Sequence, residues 1–180
     1  MAVTYSETIP MGTLAPSFSL PGTDGNTYAL ESFDAPVLVI VFMCVHCPFV
    51  IPIEDKLISL QLKYGDKVQF GAICSNDAET YPGDSFENMT ARAEEKEYPF
   101  PYLQDESQEV AKAYQAKCTP DIYVYDQDRK LVYHGRIDDS ARGALAPTTN
   151  DLEEALEAIV EGKKLDREQV PSHGCNVKWK

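Results

Sequence analysis

Six consecutive apolar residues, Val37-Leu38-Val39-Ile40-Val41-Phe42, run through Met43 into Cys44-Val45-His46-Cys47-Pro48. A half-exposed strand alternates between core and water, so a run that is apolar at every position demands cover on both faces. Beyond Pro48 the apolar residues change period: Ile53, Leu57, Leu60 and Tyr64 recur at helical spacing. The chain is therefore predicted to leave a central strand and enter a helix with two cysteines at the junction. Pro52 lies inside that predicted helix, removes one ladder hydrogen bond and predicts a kink.

A cysteine at the start of a helix meets unpaired backbone N–H groups and the positive end of the helix dipole, which favour thiolate over thiol. On that ground Cys44 is predicted to be the attacking thiolate and Cys47, one turn on, the more buried resolving thiol. The two can cycle between dithiol and disulfide. The competing reading of a CxxC is half of a zinc site, which needs two further ligands. No second CxxC or HxxxH exists in the chain, so no metal and no other cofactor is predicted.

With 180 residues, 43% apolar and 25% charged, the chain can bury a full core without disulfide staples. Five cysteines are too few for a stapled secreted scaffold of this length, and their odd number leaves at least one outside any intrachain pair. The N-terminal residues show no basic segment followed by an apolar one, and the longest apolar run is too short to span a bilayer. A cytoplasmic location and no membrane partner are expected. A net charge of −13 argues against nucleic acid as a partner, because phosphate binding relies on clustered Lys and Arg.

No repeat, low-complexity tract or linker interrupts the chain, which predicts one domain over residues 1–180. Phe18 and Leu20 alternate with polar neighbours, and Gly22-Thr23-Asp24-Gly25-Asn26 supplies turn chemistry before Thr27-Tyr28-Ala29-Leu30, predicting an N-terminal β-hairpin. Val68–Cys74 reads as a second buried strand, parallel to the first through a strand–helix–strand unit. Helices are predicted near Ser85–Lys96 and Ser107–Gln115. Ile122–Tyr125 and Leu131–His134 flank Asp126-Gln127-Asp128-Arg129 as a hairpin. Leu152, Ala155, Leu156, Ile159 and Val160 make one face of a last helix, with Asn150 and Glu153 as a capping pair and Gly162 as its stop. These elements predict a three-layer α/β/α domain with a mixed central sheet.

The apolar strand, the CxxCP, Pro52 five residues after Cys47, a later Thr119-Pro120 before a hairpin and a final amphipathic helix together resemble the thioredoxin fold. Ala15-Pro16-Ser17-Phe18-Ser19-Leu20 with Asp24-Gly25 resembles the branch that adds an N-terminal hairpin. Cys47-Pro48-Phe49-Val50, Ser75-Asn76-Asp77, Cys118-Thr119-Pro120-Asp121 and Gly135-Arg136-Ile137-Asp138-Asp139 resemble the peroxiredoxin-like, AhpC/TSA-related redoxins. The resemblance implies a cis-proline at Pro120 facing the cysteines, with the Thr119 backbone available to pair with an extended substrate. It implies thiol–disulfide exchange as the leading function, on a disulfide-bearing protein or a small thiol substrate. Peroxide reduction is the enzymatic alternative, in which Cys47 takes the peroxidatic place and Cys44 stands where that family has threonine. A thiolate metal-binding or copper-handling role is the alternative from another class.

The supporting residues divide between site and scaffold. His46 is either an exposed residue or, as imidazolium, a charge that favours the Cys44 thiolate. Pro48 follows the second cysteine. Cys118 is either a small buried hydrophobe or a third redox thiol beside Pro120. Cys74, at the end of an apolar strand, is read as core. Cys175 lies in the tail Gly174-Cys175-Asn176-Val177-Lys178-Trp179, whose alternation suggests a strand-like anchor, and is a possible resolving thiol. His134 is read as structural, and Asp138 and Asp139 as a solvated turn.

Overall fold

The computed structural model describes residues 3–140, 146–165 and 168–180. In chain order the elements are β1 (Thr4–Tyr5), β2 (Ser19–Pro21), β3 (Thr27–Ala29), β4 (Val37–Phe42), α1 (Glu54–Tyr64), β5 (Val68–Cys74) and α2 (Phe86–Glu95). There follow β6 (Tyr102–Gln104), α3 (Glu109–Tyr114), β7 (Cys118–Thr119), β8 (Asp121–Tyr125), β9 (Leu131–His134), α4 (Asp151–Val160) and β10 (His173–Asn176). The central sheet has the order β6-β5-β4-β8-β9. β4 pairs parallel with β5 and antiparallel with β8, so the sheet is mixed.

β4 occupies the middle of the sheet and is buried at all six positions, as its unbroken apolar run requires. Val37, Val39 and Val41 face Leu57, Leu60, Met89, Leu152 and Leu156 of α1, α2 and α4. Leu38, Ile40 and Phe42 face α3 and the β2–β3 hairpin through Ala111, Tyr114, Phe18 and Leu20. Burying a large apolar side chain stabilises by roughly 1.5–3 kcal/mol, so the two faces of this one strand hold the three layers together.

Several local expectations are corrected. The helix after the cysteines starts later than predicted, at Glu54, and Pro52 lies in a 3-10 turn (Ile51–Ile53) rather than in a helix interior. No kink is needed, because proline is tolerated where the N–H has no helical partner. The predicted Asn150–Glu153 cap is not made; the Asn150 side chain instead accepts a hydrogen bond from Lys56 Nζ at 2.6 Å. Gly162, with φ of +70°, does end α4. β6, too short to announce itself between Pro101 and Asp105, extends the sheet beyond β5.

A second, three-stranded sheet has the order β1-β10-β7. It joins the two ends of the chain to the segment that precedes Pro120, with Cys175 opposite Thr119 and Asn176 opposite Cys118.

Candidate functional site

Cys44 and Cys47 lie in irregular backbone between β4 and the 3-10 turn, and both are buried. The Cys47 carbonyl accepts hydrogen bonds from Val50 N–H at 2.9 Å and Ile51 N–H at 3.1 Å, closing a tight turn. Pro48, exposed, sits at the first position of that turn, where a missing N–H does no harm. Neither cysteine belongs to α1, so the helix-dipole argument for Cys44 does not describe this site.

The Thr119-Pro120 bond is cis, as the resemblance implied, and the loop packs on the cysteine pair. Thr119 Oγ1 is 3.7 Å from Cys44 Sγ, and as a thiol Cys47 donates its S–H to the Thr119 carbonyl at 3.2 Å. The two sulfurs differ in what their other neighbours offer. Hydrogen bonds from the Cys44 thiol, the Thr119 hydroxyl, the Phe49 N–H and the Cys175 thiol hold Cys47 well below the ordinary thiol value, outweighing its burial. Cys44 is pushed strongly up: it gives its S–H to Cys47, it is buried, and the Asp84 carboxylate stands beside it. These directions run opposite to the order expected from the helix dipole: they favour the negative charge on Cys47 and the proton on Cys44.

Asp84 is the residue that sequence reasoning missed. It lies 1% exposed, and its carboxylate accepts hydrogen bonds from Val45 N–H at 2.9 Å and Asn76 Nδ2 at 2.7 Å. His46, whose ring is half-exposed, meets it through Nδ1 at 2.9 Å. The His46 ring is thus tied to Asp84, with a ring nitrogen within 4.8 Å of the Cys44 sulfur. Gly83 allows this approach: a Cβ there would come within 3.3 Å of His46 Nδ1. Nothing in the spacing of Pro82-Gly83-Asp84 signals the contact, which spans 38 residues.

The donor atoms of Cys44, His46 and Asp84 lie within 4.8 Å of one another, a possible three-ligand set that was not expected from sequence. The Asp84 oxygens already accept protein hydrogen bonds and the Cys44 thiol holds its proton, so a cation would have to displace both arrangements.

The remaining candidates separate cleanly. Cys118 is fully buried, donates its S–H to the Pro120 carbonyl at 3.5 Å, and is pushed up by desolvation and the Asp121 carboxylate. That environment suits a structural thiol rather than a third redox thiol. Cys74 is likewise core, its thiol pushed by burial to about 12. Cys175, buried in β10, is brought onto Cys47. His134 bonds Asp121 at 2.9 Å and stacks on Tyr123 at 4.2 Å, a structural role. Asp138 is not the solvated turn that was expected; it is 4% exposed and pairs with Lys56 at 2.9 Å. Asp139, half-buried, accepts hydrogen bonds from Thr148 N–H at 2.7 Å and Thr149 N–H at 3.0 Å. A cavity of about 620 Å³ elsewhere, between Phe33, Gln61 and Phe100, contains no cysteine and does not belong to this site.

The profile of the AhpC/TSA family matches residues 11–134. The chain belongs to the AhpC/TSA family. Membership supports a redox function, and within it the chain resembles solved structures at two levels. An uncharacterized conserved protein from Geobacillus kaustophilus is 49% identical, with a TM-score of 0.95 over 100% of this chain and 97% of that one. A hypothetical protein from Sinorhizobium meliloti 1021 is 44% identical, with a TM-score of 0.94 over 98% of each chain. The thioredoxin domain of a thiol-disulfide oxidoreductase from Bacteroides vulgatus is 18% identical, with a TM-score of 0.66 over 85% of this chain and 99% of that one. This last likeness shows the thioredoxin-like fold. No curated protein matches the sequence. Among the described residues, no helix is long and apolar enough to cross a membrane.

Proposed function

We propose that this AhpC/TSA family member is a thiol–disulfide oxidoreductase in which Cys47 attacks and Cys44 resolves. The observation that carries the reading is the cysteine pair packed on the cis Thr119-Pro120 loop, with Thr119 Oγ1 3.7 Å from Cys44 Sγ and the Thr119 carbonyl 3.2 Å from Cys47 Sγ; the lowered Cys47 thiol beside a raised Cys44 thiol supports the order of attack. Attack by a Cys47 thiolate on a substrate disulfide forms a mixed disulfide and expels one thiolate, to which the pair's proton can pass. Cys44, then deprotonated, attacks the Cys47 sulfur, forms the Cys44–Cys47 disulfide and releases the second half of the substrate as a thiolate, which takes a proton from solvent. Two electrons pass from the pair to the substrate, and an external dithiol, itself oxidised to a disulfide, restores the pair. A reducing compartment such as the cytoplasm suits a resting dithiol.

Hydroperoxide reduction is the second reading, favoured by the family and by a thiolate at Cys47. Against it, the Arg136 guanidinium, the arginine of the family-like Gly135-Arg136 segment, is engaged by Asp151 at 2.5 Å. Peptide mapping without reduction decides the dithiol mechanism. After oxidation by a small disulfide, a Cys44–Cys47 bond is expected; Cys47 bonded elsewhere with Cys44 still reduced would overturn it.

A further inference from the structure

The edge of β7 beside Pro120 is where an extended polypeptide has to pair if its disulfide is to reach Cys47, because main-chain hydrogen bonds would supply the affinity. That edge is already filled. β10 runs antiparallel to β7 with Cys175 opposite Thr119, and its other edge is held by β1 through Thr4 opposite Gly174. The fit is close: a Cβ on Gly174 would come 2.0 Å from the Thr119 carbonyl oxygen, so any side chain there drives the strands apart.

The strand is also anchored past its end. Val177 N–H donates to the Lys117 carbonyl at 3.1 Å, and the Lys178 carbonyl accepts from Asp77 N–H and Gln108 Nε2, each at 2.8 Å. Lys178 N–H donates to Asn76 Oδ1 and Lys180 N–H to Gln108 Oε1, each at 2.9 Å. Under this cover Cys44 and Cys47 are each 2% exposed. A polypeptide has to break these bonds before it can pair. A small molecule needs only a local opening of the turn, whose His46 and Pro48 are exposed.

We infer that β10 is a built-in occupant of the substrate edge and that the folded chain therefore acts on low-molecular-weight disulfides in preference to protein disulfides. This rests on the thiol–disulfide reading above. In the balanced step, Cys47 thiolate breaks the RS–SR bond, Cys44 closes the intramolecular disulfide, and two RSH leave with the two electrons of the pair, one proton from Cys44 and one from solvent. An external dithiol re-reduces the chain.

The test compares kcat/KM of the full chain for hydroxyethyl disulfide and for insulin. A preference for the small disulfide of at least about tenfold is expected, and a smaller one overturns the inference. In Gly174→Ala the preference should shrink by a rise in insulin turnover; an unchanged ratio in the folded variant also overturns it. If neither substrate turns over, the oxidoreductase reading has failed, and access is read without turnover. Labelling of Cys47 by N-ethylmaleimide and by a polymer-linked maleimide, each relative to the unfolded chain, should then differ by at least about tenfold. Equal protection against both reagents in the wild-type chain overturns the inference even if Gly174→Ala does not fold.

Discussion

Cys44 and Cys47 are identical side chains on one turn, yet they meet different surroundings. Cys47 has donors in the Cys44 thiol, the Thr119 hydroxyl and the Phe49 N–H, with the Thr119 carbonyl as an acceptor at 3.2 Å. Cys44 keeps its proton and donates a hydrogen bond to Cys47, is buried, and has the Asp84 carboxylate at its side. Spacing makes a pair of cysteines able to bond, but their neighbours decide which one ionises. With the helix beginning only at Glu54, its dipole does not set the two cysteines apart, and their neighbours do.

The largest effect expected from this asymmetry is between the two serine variants. Cys47→Ser should lose turnover by about a thousandfold or more, since the nucleophile is gone. Cys44→Ser should keep the first step and accumulate a mixed disulfide on Cys47, visible as a mass adduct. Adducts of equal yield on both variants would erase the distinction.

Titration probes the same contrast through charge. Peptide-resolved alkylation of Cys47 should hold its rate across neutral pH and fall as pH drops through about 5, against an ordinary value of 9.0. The sign follows from a lowered thiol, whose reactive anion is present above the shifted value and lost below it. An unshifted thiol would instead be about a hundredfold less ionised at neutral pH, with labelling still rising toward pH 9.0. Cys44 in the same digests should remain slow throughout.

Asp84→Asn should narrow the difference without abolishing it. Removing the like charge beside Cys44 is expected to speed Cys44 labelling by about tenfold, while its hydrogen bond to Cys47 and its burial persist. No change would mean that Asp84 does not act on Cys44. The smallest effect belongs to His46→Ala. A half-exposed ring bonded to Asp84 and not to sulfur should alter either labelling rate by less than about threefold.

Much of the scaffold was legible because it is written in local periodicity. The unbroken apolar run gave β4 its place between two layers, and the apolar face of Leu152, Ala155 and Leu156 gave α4. Tyr102–Gln104 was missed because three residues carry no period. The start of α1 was misplaced because Ile53 and Leu57 keep helical spacing through a segment whose backbone is still turning. At the site, the cysteine pair was readable from residue type and order, and Thr119-Pro120 through the resemblance to the thioredoxin fold. Asp84 was not, because a buried carboxylate in a polar loop looks like any solvated one until its partners are known.

Sequence by itself determined that two thiols would stand one short turn apart after a buried strand, because strand, turn and helix signals are local. Only the tertiary structure decided what stands beside each thiol and what covers the pair. Asp84 is brought beside Cys44 from 40 positions away, Thr119 meets Cys47 across 72, and β10 comes from the end of the chain to lie on Thr119. Charge and hydrogen bonding act through space, at distances that residue order does not encode.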